Sequence, residues 1–334
     1  MLEDSILNEE IIKQILKDNY EINAQNITKI NRGSANIYNI DDKYILKEFN
    51  SDREISSIEK EYNVIKHLDK KGLKVPTYIE TKYGNPYVIY KERIIILQVY
   101  LDGYTMPNNT GDYNKTIESA TLLGKLTKAL EDYKVEGDYT EYPTKEGIEE
   151  GIEKLNNLID KIKEDNPHKE RIINDLERKI EISKKLLDFN FEELKKVSIK
   201  VCHGDYSVQQ LIYNDTKDTA IIDFETVRNM PIDWEIIRSY SYVDKECVNG
   251  EFNLNTFIDY VKEVQKYITL TEYDLKYMPY IYILQLVSST FGYKQYNNDY
   301  TKTSLLDFAF FRTNLCNYLY DNLELLSNEL LKLA

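Results

Sequence analysis

Apolar residues at Ile6, Leu7, Ile11, Ile12, Ile15 and Leu16 recur with a helical period and predict a helix over residues 5–18. The pattern then changes to period two. Short strands are expected over residues 27–31, 37–40 and 43–49, joined by turns at 32–36 and at Asp41–Asp42. A second helical stripe (Ile58, Tyr62, Ile65, Leu68) runs over residues 55–68 and ends before Gly72 and Pro76. Two further strands, 77–82 and 87–91, flank a Tyr-Gly-Asn-Pro turn, and an apolar run from Arg93 reads as a buried strand entering a linker at 100–103. Beyond the linker the period is helical: 116–133, then two long charged amphipathic stretches at 146–164 and 169–187 separated by Pro167. Short strands and turns return at 201–225, and helices are expected at 234–243, 254–267, 272–291 and 304–333. The many tyrosines of 273–296 fit a helix core that uses Tyr for size. This pattern divides the chain into a β-rich domain, 1–100, and a helical domain, 101–334, that contains the 201–225 segment.

With 334 residues the chain exceeds what one small core organises, and 42% hydrophobic residues suffice for a packed interior. A formal charge of −14 disfavours nucleic acid as a partner. That charge favours solubility, and it would attract cationic small molecules or basic proteins. Cys202, Cys247 and Cys316 are scattered without a Cys-x-x-Cys pair, which fits a reducing cytoplasm. Three histidines, His67, His168 and His203, leave no His-rich zinc site. The acidic start does not read as a signal peptide, no apolar run reaches membrane-spanning length, and a cytoplasmic location off the membrane is expected.

The chemistry concentrates at 201–225. Asp205 is followed five residues later by the amide of Gln210 and eighteen residues later by Asp223, which ends an Ala-Ile-Ile run. Phosphoryl transfer from a nucleotide needs one carboxylate to orient and deprotonate a hydroxyl, with an amide and a second carboxylate to hold Mg²⁺ against the phosphates. A hairpin turning near Asn214, Asp215 and Asp218 would bring these groups to one end of a small sheet. Taken singly, a His-Gly-Asp triplet is more often a plain turn. The ordered conjunction is what points to a phosphotransferase. Lys47 adds to it. Period-two alternation puts it on one face with Ile45 and Phe49, expected to be buried, and a lysine there requires an anionic partner. Nucleotide phosphates and Glu61 of the following helix would supply it, with Glu54 and Glu59 as rivals for the pairing.

His203-Gly-Asp205, the amide at 210 and Ile222-Asp-Phe224 resemble the signature of the aminoglycoside phosphotransferase and choline-kinase superfamily. The resemblance spans about residues 25 to 245. It implies an α+β, bilobal protein-kinase-like fold, with a small antiparallel-sheet N-lobe and a large, mainly helical C-lobe. It makes Asp205 the catalytic base, Asp223 and Gln210 the Mg²⁺ ligands, Gly33 and Ser34 the phosphate loop, and Lys47 with Glu61 the phosphate-contacting pair. The hinge at 98–103 would hold adenine, with Val99 and Leu101 in contact. The long helices from 146 to 196 are similar in layout to the bacterial spore-coat kinase-like branch. Two positions depart from the pattern: Gln210 stands where the family has Asn, and Ser207 where it tends to have His. Either Asp233 or Glu235 would brace the catalytic loop.

The resulting expectation is transfer of the γ-phosphate of ATP, or GTP, to a hydroxyl of a small molecule, with Mg²⁺ as cofactor. Family and net charge favour an amine-bearing acceptor such as an aminoglycoside or amino alcohol. The rival is a kinase-fold binding or spore-coat structural protein that has lost turnover, for which Gln210 is the main argument.

Overall fold

The computed structural model describes residues 2–30, 35–135, 137, 139–214 and 218–334. The chain forms two compact units, Met1–Met106 with Gln209–Val227, and Pro107–Val208 with Arg228–Ala334.

The first unit is built on an antiparallel sheet of β1 (Ile27–Ile30), β2 (Asn36–Ile40), β3 (Tyr44–Glu48), β4 (Val88–Tyr90) and β5 (Arg93–Val99), ordered β1-β2-β3-β5-β4. Helix α1 (Glu9–Tyr20) starts four residues later than its apolar stripe suggests, because the Asn8 side chain caps it by accepting from Ile11 N–H. Its buried residues Ile12, Ile15, Leu16 and Tyr20 cover the face of the sheet that carries Tyr38, Ile40, Leu46, Ile95 and Leu97. This cover corrects the expected sidedness of β3. Leu46 and Glu48 are fully enclosed, whereas Ile45 and Lys47, on the other face, are only half-buried. Phe49, just beyond the strand, is buried as expected. The enclosed Glu48 carboxylate is satisfied by Ser5 Oγ–H, Ile6 N–H at 3.0 Å and Arg93 at 3.1 Å, so a buried charge is paired rather than stranded. Helix α2 (Ile55–Lys70) buries Ile58, Glu61, Val64, Ile65 and Leu68.

The expected strand at 77–82 is irregular. Thr77 and Ile79 only bracket β5 through Val99 N–H to Thr77 O (2.9 Å) and Ile79 N–H to Leu97 O (2.8 Å). Beyond them the backbone bends into a turn in which Asn85 N–H and Tyr83 N–H reach Thr81 Oγ.

A two-residue hairpin, β7 (Leu211–Ile212) with β8 (Ala220–Ile221), belongs to this first unit, not to the helical one in which the sequence had placed it. Three attachments account for this. Ile221 N–H donates to Lys74 O (3.0 Å), Tyr104 and Tyr213 exchange two backbone bonds of 2.9 Å, and Arg53 pairs with Glu225 at 2.8 Å. The Tyr104–Tyr213 bridge needs Gly103, whose φ is +143° and where an added Cβ would stand 2.2 Å from Tyr213 O.

The second unit is helical apart from β6 (Ile199–Cys202) and β9 (Arg228–Pro231), which pair antiparallel. Its helices are α3 (Tyr113–Ala129), α4 (Lys145–Ile159), α5 (Lys169–Leu186), α6 (Ile232–Val243), α7 (Leu254–Gln265), α8 (Glu272–Val287), α9 (Tyr293–Asn298), α10 (Thr303–Asp321) and α11 (Leu323–Leu331). The hydrophobic helix α8 is enclosed on nearly all sides, with α6, α10 and α11 packed on it. A separate cluster joins Leu155, Ile172 and Leu176 of the α4–α5 pair to Tyr293, Tyr296 and Leu306. No helix among the described residues is long and apolar enough to cross a membrane.

Gly103→Ala adds a side chain where neither φ nor space admits one. It should destabilise the chain by more than about 1 kcal/mol, measured by urea unfolding.

Candidate active site

In the first unit the register of β7 on β8 carries the argument. Leu211 pairs with Ile221, and Ile222 N–H donates to Gln210 O at 2.9 Å, so Gln210 lies beside the Ile222–Asp223 step. Asp223 has left-handed backbone angles (φ 69°, ψ 62°) and opens a 3-10 turn, Phe224–Thr226, anchored by the fully buried Phe224. A non-glycine residue in that region is held against its preference, a feature that clusters at functional sites.

Glu61 of α2 is buried and accepts a hydrogen bond from Tyr78 Oη at 3.1 Å. Burial raises its pKa. Lys47 pulls it back down, Asp223 and Glu225 push it up again, and the Tyr78 hydrogen bond lowers it. Lys47, Glu61, Asp223 and Glu225 therefore act on one another within a single unit. Of the three candidate helix carboxylates, Glu54 and Glu59 are exposed and Glu61 alone is enclosed. Arg53, unremarked in the sequence, completes the group. It pairs with Glu225 and lies over Phe49 at 5.1 Å, and its Nε and Nη2 are enclosed without a hydrogen-bond partner.

Val99 and Leu101 are both half-buried. The Val99 N–H is taken by Thr77 O and cannot serve as a donor to a ligand, whereas Leu101 N–H enters no backbone bond among the described residues. Gly33 and Ser34 lie outside the described residues.

In the second unit Asp205 follows β6. Glu235, in the first turn of α6, fixes the loop with both oxygens, accepting from His203 N–H (3.0 Å) and Gly204 N–H (2.7 Å). Gly204 takes φ 83°, which lets the chain turn there so that both N–H groups reach one carboxylate. Burial raises the Glu235 pKa, and His203 and the two N–H donors oppose that. Glu235, not Asp233, is thus the brace. Asp233 is fully enclosed with neither oxygen hydrogen-bonded to another group, and burial together with nearby Asp274 pushes its pKa well up.

The Asp205 carboxylate is held by Arg238 of α6, whose Nη1 also donates to Tyr206 O at 3.0 Å. The guanidinium sits between the rings of Trp234 and Tyr242, 5.0 and 4.7 Å from their centroids. Asp205 keeps 43% of its side chain accessible. The sequence carried one signal for Arg238, its position three residues after Glu235 on a helix, where side chains share a face.

The model of the phosphotransferase enzyme family (APH) matches residues 26–255, more than half of the chain. The chain belongs to that family. Among solved structures it is similar to an aminoglycoside phosphotransferase from Alicyclobacillus acidocaldarius (TM-score 0.68, 12% identity, covering 98% of this chain and 97% of that one). It is also similar to a spectinomycin phosphotransferase solved with ADP and spectinomycin (0.66, 17%, 95% and 98%) and to a microcompartment-associated aminopropanol kinase (0.61, 12%, 97% and 100%). At these identities the likeness establishes the fold, that of the kinase-like phosphotransferases. No curated protein matches the sequence.

Two outcomes follow from the buried carboxylates. Glu61 has a folded pKa above its ordinary value of 4.5, so its share of stability is complete below that value and is lost as pH rises through the raised one. Glu61→Gln removes this loss, and its melting temperature relative to the parent, without nucleotide, should rise from pH 5 toward about pH 8. Glu235→Gln sets an amide NH₂ against one of two backbone donors and should cost about 1–3 kcal/mol in urea unfolding.

Proposed function

We propose that the chain transfers the γ-phosphate of ATP, or of GTP, to a hydroxyl of a small molecule. The observation that carries this reading is the β7–β8 register, which brings Gln210 beside the Ile222–Asp223 step in the unit that also holds Lys47 and the buried Glu61. Family membership supports it. So do similar structures solved with ADP, AMP-PNP or GDP, which supply the nucleotide class.

In this reading Asp205 accepts the proton of the acceptor hydroxyl as its oxygen forms a bond to the γ-phosphorus. The bond from that phosphorus to the β-γ bridging oxygen breaks, and the diphosphate leaves with the electron pair. Arg238 keeps the Asp205 carboxylate aimed, and the Glu235 brace keeps the loop from relaxing. Lys47, steadied by Glu61, offsets charge on the phosphates. Leu101 offers its N–H to the base.

Asp223 and the Gln210 amide are hard oxygen donors of the kind Mg²⁺ takes. They would hold the ion together with phosphate oxygens rather than in a protein cage. When bound, Mg²⁺ neutralises phosphate charge. Gln210 reaches one methylene further than the family's Asn, which bears on how tightly the ion is held. The three cysteines are free and buried, in keeping with a cytoplasmic setting.

Mg-ATP should raise the melting temperature of the chain, an effect equivalent to about 2.7 kcal/mol at one hundred times the dissociation constant, and Asp223→Asn should remove the Mg²⁺-dependent part. ADP release in an acceptor panel that includes spectinomycin and aminopropanol should fall by about a hundredfold or more in Asp205→Asn. Nucleotide stabilisation without Asp205-dependent turnover on any acceptor would favour the rival, a binding protein of the same fold.

A further inference from the structure

We infer that the acceptor carries an anionic group, a carboxylate in the simplest case, and that Arg312 receives it. The inference rests on the phosphotransferase reading for the identity of Asp205 as the reacting end. It stands on geometry within the second unit alone.

Arg312 of α10 is only 9% exposed. Its Nη2 donates to Gln285 Oε1 at 3.1 Å, its Nε is enclosed with no hydrogen-bond partner, and no carboxylate of a described residue lies within ion-pair distance. A guanidinium stays charged in any protein and carries five donors. Largely enclosed and offered one neutral acceptor, it lacks a counter-ion among the described residues, which is costly for a buried charge. Other enclosed arginines have a counter-ion: Arg93 has Glu3 and Glu48, Arg53 has Glu225, and Arg238 has Asp205. The groups that act electrostatically beside Arg312 make the shortage worse. They include the buried ammonium of Lys179, bonded to Ser289 O at 2.8 Å, whose pKa is drawn down to about 8 chiefly by burial and further by Arg312. The other two, the Tyr282 hydroxyl and the buried Cys316 thiol, are both kept neutral by burial.

A continuous wall connects Arg312 to Asp205. Arg238 holds Asp205 and lies 4.7 Å from the Tyr242 ring centroid; Tyr242 is 5.8 Å from Phe308; and Phe308 carries the Arg312 guanidinium at 5.7 Å. The far end of the wall is open, with Phe291 against Phe308 and 44% exposed, and Gln285 exposed. An acceptor whose hydroxyl meets Asp205 and whose far end passes the half-buried Phe308 would end on Arg312, where a carboxylate would find the fork geometry it matches best. An amine at that end would face the Arg312 guanidinium and the nearby Lys179, so the amine-bearing acceptor favoured by net charge is disfavoured at this place.

The test uses the whole chain with ω-hydroxy carboxylates from four to ten carbons, set against ω-amino alcohols and diols of the same lengths. Binding is read as a thermal shift without nucleotide, and reaction as ADP release with Mg-ATP. Carboxylates of a preferred length should stabilise the chain and, as acceptors, show KM values lower than the diols by about tenfold or more. Arg312→Gln should abolish that difference while leaving kcat on diols within twofold, and Arg312→Lys should restore part of it. Should Arg312→Gln fail to fold, Gln285→Ala, an exposed change that frees the Nη2 anchor, should weaken carboxylates and not diols. Three results would overturn the inference: amino alcohols binding as well as carboxylates, all acceptors weakening equally in the variants, or no carboxylate shifting the melting temperature. Carboxylate binding that survives while Asp205→Asn changes no turnover would sink the phosphotransferase reading and leave the anion site standing.

Discussion

One antiparallel register, two residues long on each strand, decides whether this chain has a candidate phosphate-handling site at all. The pairing of Leu211 with Ile221 continues through Ile222 N–H to Gln210 O, which brings the Gln210 backbone beside the Ile222–Asp223 step. So short a ladder is not stable by itself. It is held from outside, by Lys74 O, by the double bridge between Tyr104 and Tyr213, and by the Arg53–Glu225 pair. The tightness at Gly103 has the same origin, since the linker must approach the hairpin backbone closely enough to bond to it.

Buried charge is the second organising constraint. Enclosed ionised groups are costly unless paired, and this chain encloses many: Glu48, Glu61, Glu235, Lys179, Arg238 and Arg312. Those with complete protein partners are structural. Glu48 ties the segment before α1 to the sheet, and Glu235 ties the Asp205 loop to α6. Asp233 differs, its pKa pushed well up by burial and nearby Asp274. Arg53 and Arg312 keep enclosed nitrogens without a hydrogen-bond partner, and the Lys179 ammonium has only the Ser289 carbonyl.

Residues close in sequence and alike in pattern were legible before folding. The helical stripes, the strand alternation, the hairpin from Gln210 to Asp223 and the family signature were all local. The expected sidedness of β3 was not, because alternation identifies two faces but not which one a distant helix will cover; α1 covered Leu46 and Glu48. The choice between Asp233 and Glu235 was equally out of reach. They lie two residues apart in one helical turn, and only the placement of β6 against β9 decides which meets the His203 and Gly204 amides. Arg238 and Arg312 looked like any other arginines on amphipathic helices.

The sequence by itself determined the order of elements, the kinase-like fold class and the chemical identity of the groups at 205, 210 and 223, because each depends on neighbours along the chain or on a pattern of fixed spacing. Only the tertiary structure decided which unit holds the 209–227 segment, which carboxylate of α2 is enclosed, and which arginines stand beside Asp205 or without a counter-ion. Those outcomes depend on burial and on partners far away in sequence. A side chain's electrostatic surroundings are set by the solvent it loses and by the groups that replace that solvent, and neither is encoded locally.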